Sequence, residues 1–91
     1  MAKVEVFLFG ALSRVAGKKR VEVEAMDILE VLQALTDIRE EFKSIIFDDH
    51  KNLRRFIYIY INGRDIRFLN KLKTYLNEGD IIQVIPAVSG G

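Results

Sequence analysis

Ninety-one residues, with hydrophobic types at 49%, charged types at 30%, one proline and no cysteine, describe one soluble domain with a small core. A chain of this size buries only about 60–65% of its unfolded surface, which leaves little room for an internal active site. The lack of cysteine excludes disulfides, thiolate-bound zinc, iron–sulfur clusters and a cysteine nucleophile. Fourteen Lys and Arg against thirteen Asp and Glu give a net charge of +1, with the two signs interspersed along the chain, so neither nucleic acid nor an anionic membrane is an expected partner.

Val4, Val6 and Leu8 alternate with Lys3, Glu5, Phe7 and Phe9, which predicts a strand over 3–9. The segment 10–19 contains two glycines and reads as a long turn into a second strand over 20–24, where Val21 and Val23 alternate with charged residues. At Asp27 the period changes to 3.6, with Ile28, Val31, Leu32, Leu35 and Ile38 on one helical face. Asp27 is placed to cap that helix and Glu30 to complete a capping box, a start worth about 1 kcal/mol over Ala. Residues 39–42 could extend the helix before the polar stretch 47–55 breaks the pattern.

Residues 56–61 are β-branched and aromatic, and Asn62–Gly63 after them is a strong hairpin signal. The return strand is expected over 65–68 and a short irregular or helical stretch over 69–76. Glu78, Gly79 and Asp80 then turn into a last strand over 81–85. Pro86 cannot donate to a ladder and is expected to end regular pairing. The expected fold class is α+β, a mixed sheet with one main helix packed across it, as a domain over 1–86 and a C-terminal tail over 87–91. The predicted core brings Ile28, Leu32 and Leu35 against Val4, Val6, Leu8, Ile57, Ile59, Ile61, Ile82 and Val84. Phe7, Phe9, Tyr58, Tyr60 and Ile85 have the opposite parity and give the outer sheet face more aromatic area than solvation requires. Either this face is free as a docking patch or residues 39–55 fold back over it.

The longest apolar run, 56–61, is far short of the ~20 residues that span a bilayer. The N-terminal segment places Glu5 inside its apolar stretch, unlike a signal peptide, and a cytoplasmic location is expected. Side-chain catalysis has little support. The single histidine, His50, sits among Asp48, Asp49 and Lys51 without metal-ligand spacing, so no metal site is expected. Ser13 and Ser89 have no base nearby in sequence, and Gly10 and Gly17 do not make a phosphate-binding spacing.

The unusual feature is the end, Val88–Ser89–Gly90–Gly91. Two glycines remove every Cβ around a terminal carboxylate, so the backbone can thread a narrow tunnel and bring its carboxyl carbon against a partner's reactive atoms. Five extended residues from Ala87 to Gly91 would reach roughly 17 Å.

With that end, the whole chain resembles the β-grasp, ubiquitin-like sulfur carriers. The resemblance rests on Phe9–Gly10–Ala11–Leu12 with Gly17, on Ile61–Asn62–Gly63, on the run from Leu76 to Ile81, and on the run from Pro86 to Gly91. Within the group the chain most resembles the small subunit of molybdopterin synthase. The thiamine-pathway sulfur carrier and the archaeal ubiquitin-like modifiers are near relatives, and thiamine-type carriers generally lack a segment like 39–55. Two positions depart from the synthase pattern: Ala87 stands where a second Pro is usual, and Ser13 where a basic residue is usual, with Arg14 one place later.

The resemblance implies a flexible Gly-Gly tail and a chemistry in which the chain is a co-substrate, not a catalyst, with no cofactor bound. An E1-like adenylyltransferase, similar to ubiquitin-activating enzymes, would use ATP to adenylate Gly91, and a sulfur donor would displace AMP to leave a thiocarboxylate. The large subunit of molybdopterin synthase would then receive the tail and pass its sulfur to a pyranopterin precursor of the molybdenum or tungsten cofactor. An α-carboxyl titrates at about 3.3–3.7, so the tail is anionic and calls for a basic pocket in each partner. Gly90, Ser89, Val88 and Ile85, with Phe7, Phe9, Tyr58 and Tyr60, are the candidate partner-binding residues. The alternatives are a protein modifier conjugated through Gly91, a thiamine-pathway carrier, or a binding module that uses the aromatic face alone.

Overall fold

Alternation of small apolar and larger or polar residues produces the first strand, β1 (Ala2–Leu8), in a computed structural model that describes residues 1–87. Ala2, Val4, Val6 and Leu8 are buried while Lys3, Glu5 and Phe7 face the other way. The expected long turn is instead a short helix, α1 (Ala11–Ala16), set between Gly10 and Gly17. Leu12 is fully buried and Val15 and Ala16 pack behind it, an i, i+3, i+4 set too short to register as a periodicity. The second strand, β2 (Arg20–Ala25), pairs antiparallel with β1, from Ala2 opposite Ala25 to Phe7 opposite Arg20.

The main helix, α2 (Ile28–Ile38), begins as the sequence predicts. Asp27 accepts a hydrogen bond from the Glu30 amide at 2.9 Å, and Glu30 Oε1 accepts one from the Met26 amide at 2.7 Å. Ile28, Val31, Leu32 and Leu35 are buried, but Ile38, expected on the same face, is 48% exposed because the helix ends there. Residues 39–41 leave the helix and a separate one follows, α3 (Phe42–Ile46), with Phe42 and Ile46 fully buried.

The third strand, β3 (Ile57–Ile61), turns through Asn62 (φ 51°) and Gly63 (φ 83°) into the two-residue β4 (Arg64–Asp65). Positive φ at both central positions gives the turn a twist that matches its strands. Beyond Asp65 the return strand gives way to two 3₁₀ turns, Ile66–Phe68 and Lys71–Lys73. The last strand, β5 (Ile81–Pro86), lies between β1, to which it is parallel, and β3, to which it is antiparallel.

The sheet order is β2-β1-β5-β3-β4, with the helices on one face. This is the β-grasp arrangement, with α2 as the main helix across a mixed sheet. All the apolar strand residues assigned to the core are buried. Leu12, Phe42, Ile46, Ile66 and Leu76 join them from the connections. No helix among the described residues is long and apolar enough to cross a membrane.

Candidate tail anchor and docking face

The residues that lead into the Gly-Gly end are held from two sides. Gly10, just past β1, adopts φ 58°, ψ −131°, a conformation open essentially to glycine. A Cβ at this position would lie 3.2 Å from Pro86 Cγ. The bend also starts α1, because the Gly10 carbonyl accepts from the Arg14 amide at 3.2 Å and the Ser13 hydroxyl at 2.9 Å. On the other side the Ala87 amide donates to the Phe56 carbonyl at 2.7 Å.

Pairing therefore runs one residue further than the proline predicts. Alternate β5 residues face β3 and β1, and the missing N–H of Pro86 points to the side where β1 has already ended. Among the described residues Ala87 makes the last bond, which a second proline there could not make. Val88, Ser89, Gly90 and Gly91 lie outside the described residues.

Four of the five predicted docking residues share the outer face of the sheet. Cross-strand register lines up Arg20, Phe7, Gln83, Tyr60 and Asp65, and sets Tyr58 beside Ile85 in the row nearer the tail. Phe9 falls past the end of β1 and is 39% exposed, and Phe56 at the same end of the sheet is 37% exposed. Residues 39–55 do not cover this face. Phe42 and Ile46 bury into the helix-side core, so α3 lies on the opposite side of the sheet.

What covers the rings is a pair of guanidinium groups that sequence reasoning missed. Arg67 stands 4.3 Å from the centroid of Tyr58 and Arg20 5.9 Å from that of Phe7. Each cation is also held by a carboxylate, Arg67 by Asp65 at 2.7 Å and Arg20 by Glu5 at 3.5 Å. The hydrogen bonds from the Arg67 side chain and amide hold the Asp65 carboxyl below its ordinary pKa, and the same bond raises that of Arg67. The spacing Asp65-x-Arg67 after a hairpin was the available signal, since Asp65 also caps the following 3₁₀ turn.

At the other end of the sheet, two motif segments prove to be one structure. Asp80 is buried and accepts from Asn62 Nδ2 at 2.9 Å and from the Asn77 amide at 2.7 Å, while Asn62 Oδ1 accepts from the Ile81 amide at 3.0 Å. This network closes the entry to β5 and contributes to stability far from the tail. His50 lies exposed in a loop whose Asp48 carboxylate accepts amide bonds from Asn52 and His50, which lower its pKa, the Asn52 bond most strongly. The Ser13 hydroxyl is occupied by the Gly10 carbonyl.

Residues 6–91 match the model of the ThiS family. This chain belongs to that family, which groups sulfur carriers with ubiquitin-like modifiers. A candidate sulfur carrier protein of Archaeoglobus fulgidus is 28% identical over 75 residues, covering 82% of this chain and 85% of its own. The solution structure of small archaeal modifier protein 1 from Methanosarcina acetivorans superposes with a TM-score of 0.90 at 39% identity, covering 100% of this chain and 98% of that one. A chain of the BexX/CysO complex of Amycolatopsis orientalis gives a TM-score of 0.85 at 30% identity, covering 97% and 99%. The archaeal modifier structure covers the whole chain, tail anchor and outer face included.

Proposed function

We propose that this ThiS-family chain is a sulfur carrier whose Gly91 carboxyl is adenylated at the expense of ATP by an E1-like adenylyltransferase and converted to a thiocarboxylate. The family match carries this reading, because it extends through the Gly-Gly end. The geometry supports it, because Pro86 against Gly10 and Ala87 against Phe56 fix the point from which that end departs. A carboxylate is a poor electrophile, and adenylation supplies AMP as the leaving group. The sulfur donor's nucleophilic sulfur then attacks the acyl carbon and expels AMP. From the Ala87 anchor, four extended residues span about 13–14 Å, less than the five-residue estimate but deep enough to enter a partner's active site.

The chain acts as a co-substrate, docking through Phe7, Phe9, Tyr58, Tyr60 and Ile85 while Val88, Ser89, Gly90 and Gly91 enter the partner. For the recipient we propose a pyranopterin precursor held by the large subunit of molybdopterin synthase, on the motifs of the sequence. The likeness to an archaeal modifier protein favours a second reading, in which a protein lysine takes the activated Gly91 as an amide.

Incubation with the adenylyltransferase, ATP and a sulfide source, followed by intact-mass and fragment analysis, tests both. Exchange of one oxygen for sulfur localised to Gly91 is the expected result. Lysine conjugates without exchange would establish the modifier reading instead, and no adduct at Gly91 would remove both.

A further inference from the structure

The charges are not interspersed in one place. Arg54, Arg55, Arg64, Arg67, Lys71 and Lys73 fall within residues 54–73 with Asp65 as the only acid, which leaves eight bases and twelve acids for the rest of the chain. The fold gathers this segment at the β3–β4 edge and its two 3₁₀ turns. A groove of about 440 Å³ runs along it, with Leu53, Ile66 and Leu72 as its apolar lining and Arg67, Lys71 and Lys73 as its rim. A second groove of about 330 Å³ shares Leu53, Ile66 and Arg67 and adds Arg54 and Arg55.

The rim is presented by a turn held in a costly shape. Lys71 has φ 55°, the left-handed region, and its carbonyl accepts from both the Thr74 hydroxyl at 2.7 Å and the Thr74 amide at 3.0 Å. Thr74 is buried, and its Oγ1 in turn accepts from the Asn70 amide at 3.1 Å, so the loop is fixed from within. Among the described residues Arg67 is matched by Asp65, whereas Lys71 and Lys73 make no ion pair.

We propose that this edge is a second docking surface, for an acidic amphipathic peptide segment of a partner protein that lays aliphatic side chains on the partly buried Leu53 and Leu72, over the buried Ile66, and carboxylates against Lys71, Lys73 and Arg55. The most exposed ring of the segment, Phe68, lines neither groove, and the apolar lining of both is aliphatic, which favours a peptide over a nucleic acid that would use stacking rings. The bordering cations select acidic flanks over neutral ones. Arg54 and Arg55 adjoin Phe56, whose carbonyl holds Ala87, so the surface borders the tail anchor, but the proposal does not depend on the carrier reading.

The test titrates a short fluorescein-labelled peptide of alternating Glu and Leu into the isotope-labelled full chain, with a Lys-for-Glu peptide and a uridine oligomer of matched charge as competitors. Amide shifts should concentrate at Leu53, Ile66 and Leu72. Affinity should fall at least about fivefold in Lys71→Asn/Lys73→Glu, a pair chosen because Asn tolerates the left-handed position. Shifts confined to other surfaces, equal binding of the Lys-for-Glu peptide, unchanged affinity in the charge variant, or tighter binding of the oligomer would each overturn the proposal. If the variant fails to fold, the shift map and the two competitors on the unaltered chain still decide it.

Discussion

The two ends of the central strand β5 are secured by different means. At its entry, the Asn62 side chain and the Asn77 amide donate to the buried Asp80 carboxylate, and Asn62 Oδ1 accepts from the Ile81 amide. At its exit, the anchor is almost entirely backbone: a glycine without a Cβ facing Pro86, and one amide bond from Ala87 to Phe56. Asp80 and its partners secure the entry, whereas the exit is set by the close approach of Gly10 to Pro86, the point from which the proposed carrier tail would depart. Stability and presentation are thus separated along a single strand.

The largest effect is expected from Asp80→Ala, which leaves the Asn62 and Asn77 donors unpaired and should cost about 3 kcal/mol, read as a fall in the urea midpoint. Folded molecules of this variant should still accept sulfur at Gly91 at the normal rate; if loading falls with stability, the two ends are not separate. Next comes Gly10→Ala, at about 2 kcal/mol for a non-glycine residue in that conformation, with Pro86 forced to shift. Loading measured well below the unfolding midpoint should drop as well, and unchanged loading would deny Gly10 a part in aiming the tail.

Ala87→Pro removes one hydrogen bond and should cost about 1 kcal/mol or less while altering the rate of thiocarboxylate formation. No change in that rate would show that the bond to Phe56 does not set the tail's departure. The smallest effect is the pH dependence of the Asp65–Arg67 pair. The carboxyl has a lowered pKa in the folded state, so its contribution is present above its unfolded value and is lost as pH falls below about 4. The urea midpoint of Asp65→Asn should therefore decline less steeply over that acid range than that of the parent chain.

Periodicity made β1, β2, α2, β3 and β5 legible, and the Asp27 cap located the helix start to the residue. It failed for α1 and α3, six and five residues long, because helices that short owe their existence to packing of Leu12, Phe42 and Ile46 and not to a repeating pattern. The parity of Phe7, Tyr58, Tyr60 and Ile85 was readable, since alternation in a strand assigns faces directly. Their cover was not, because Arg20 reaches Phe7 across a strand pairing that only the register defines, and Arg67 reaches Tyr58 from a 3₁₀ turn beyond β4. The tail anchor was half legible. Gly10 and Pro86 both stood within recognisable motifs, but their contact depends on the parallel pairing of β1 with β5, which joins distant parts of the chain.

That pairing has a consequence for how the molecule comes into being. The strand in the middle of the sheet comes last in chain order among the described residues, so β1 and β3 each lack one neighbour until residues 81–86 are in place. Such non-local closure is slow relative to helix formation. It also means that the anchor for the tail requires β5 to be paired with both neighbours, and a copy without that pairing has no defined bearing on which to offer its end. If the proposed carrier function holds, an activating partner that recognises the departure point along with the tail would thereby inspect the fold before spending ATP on it.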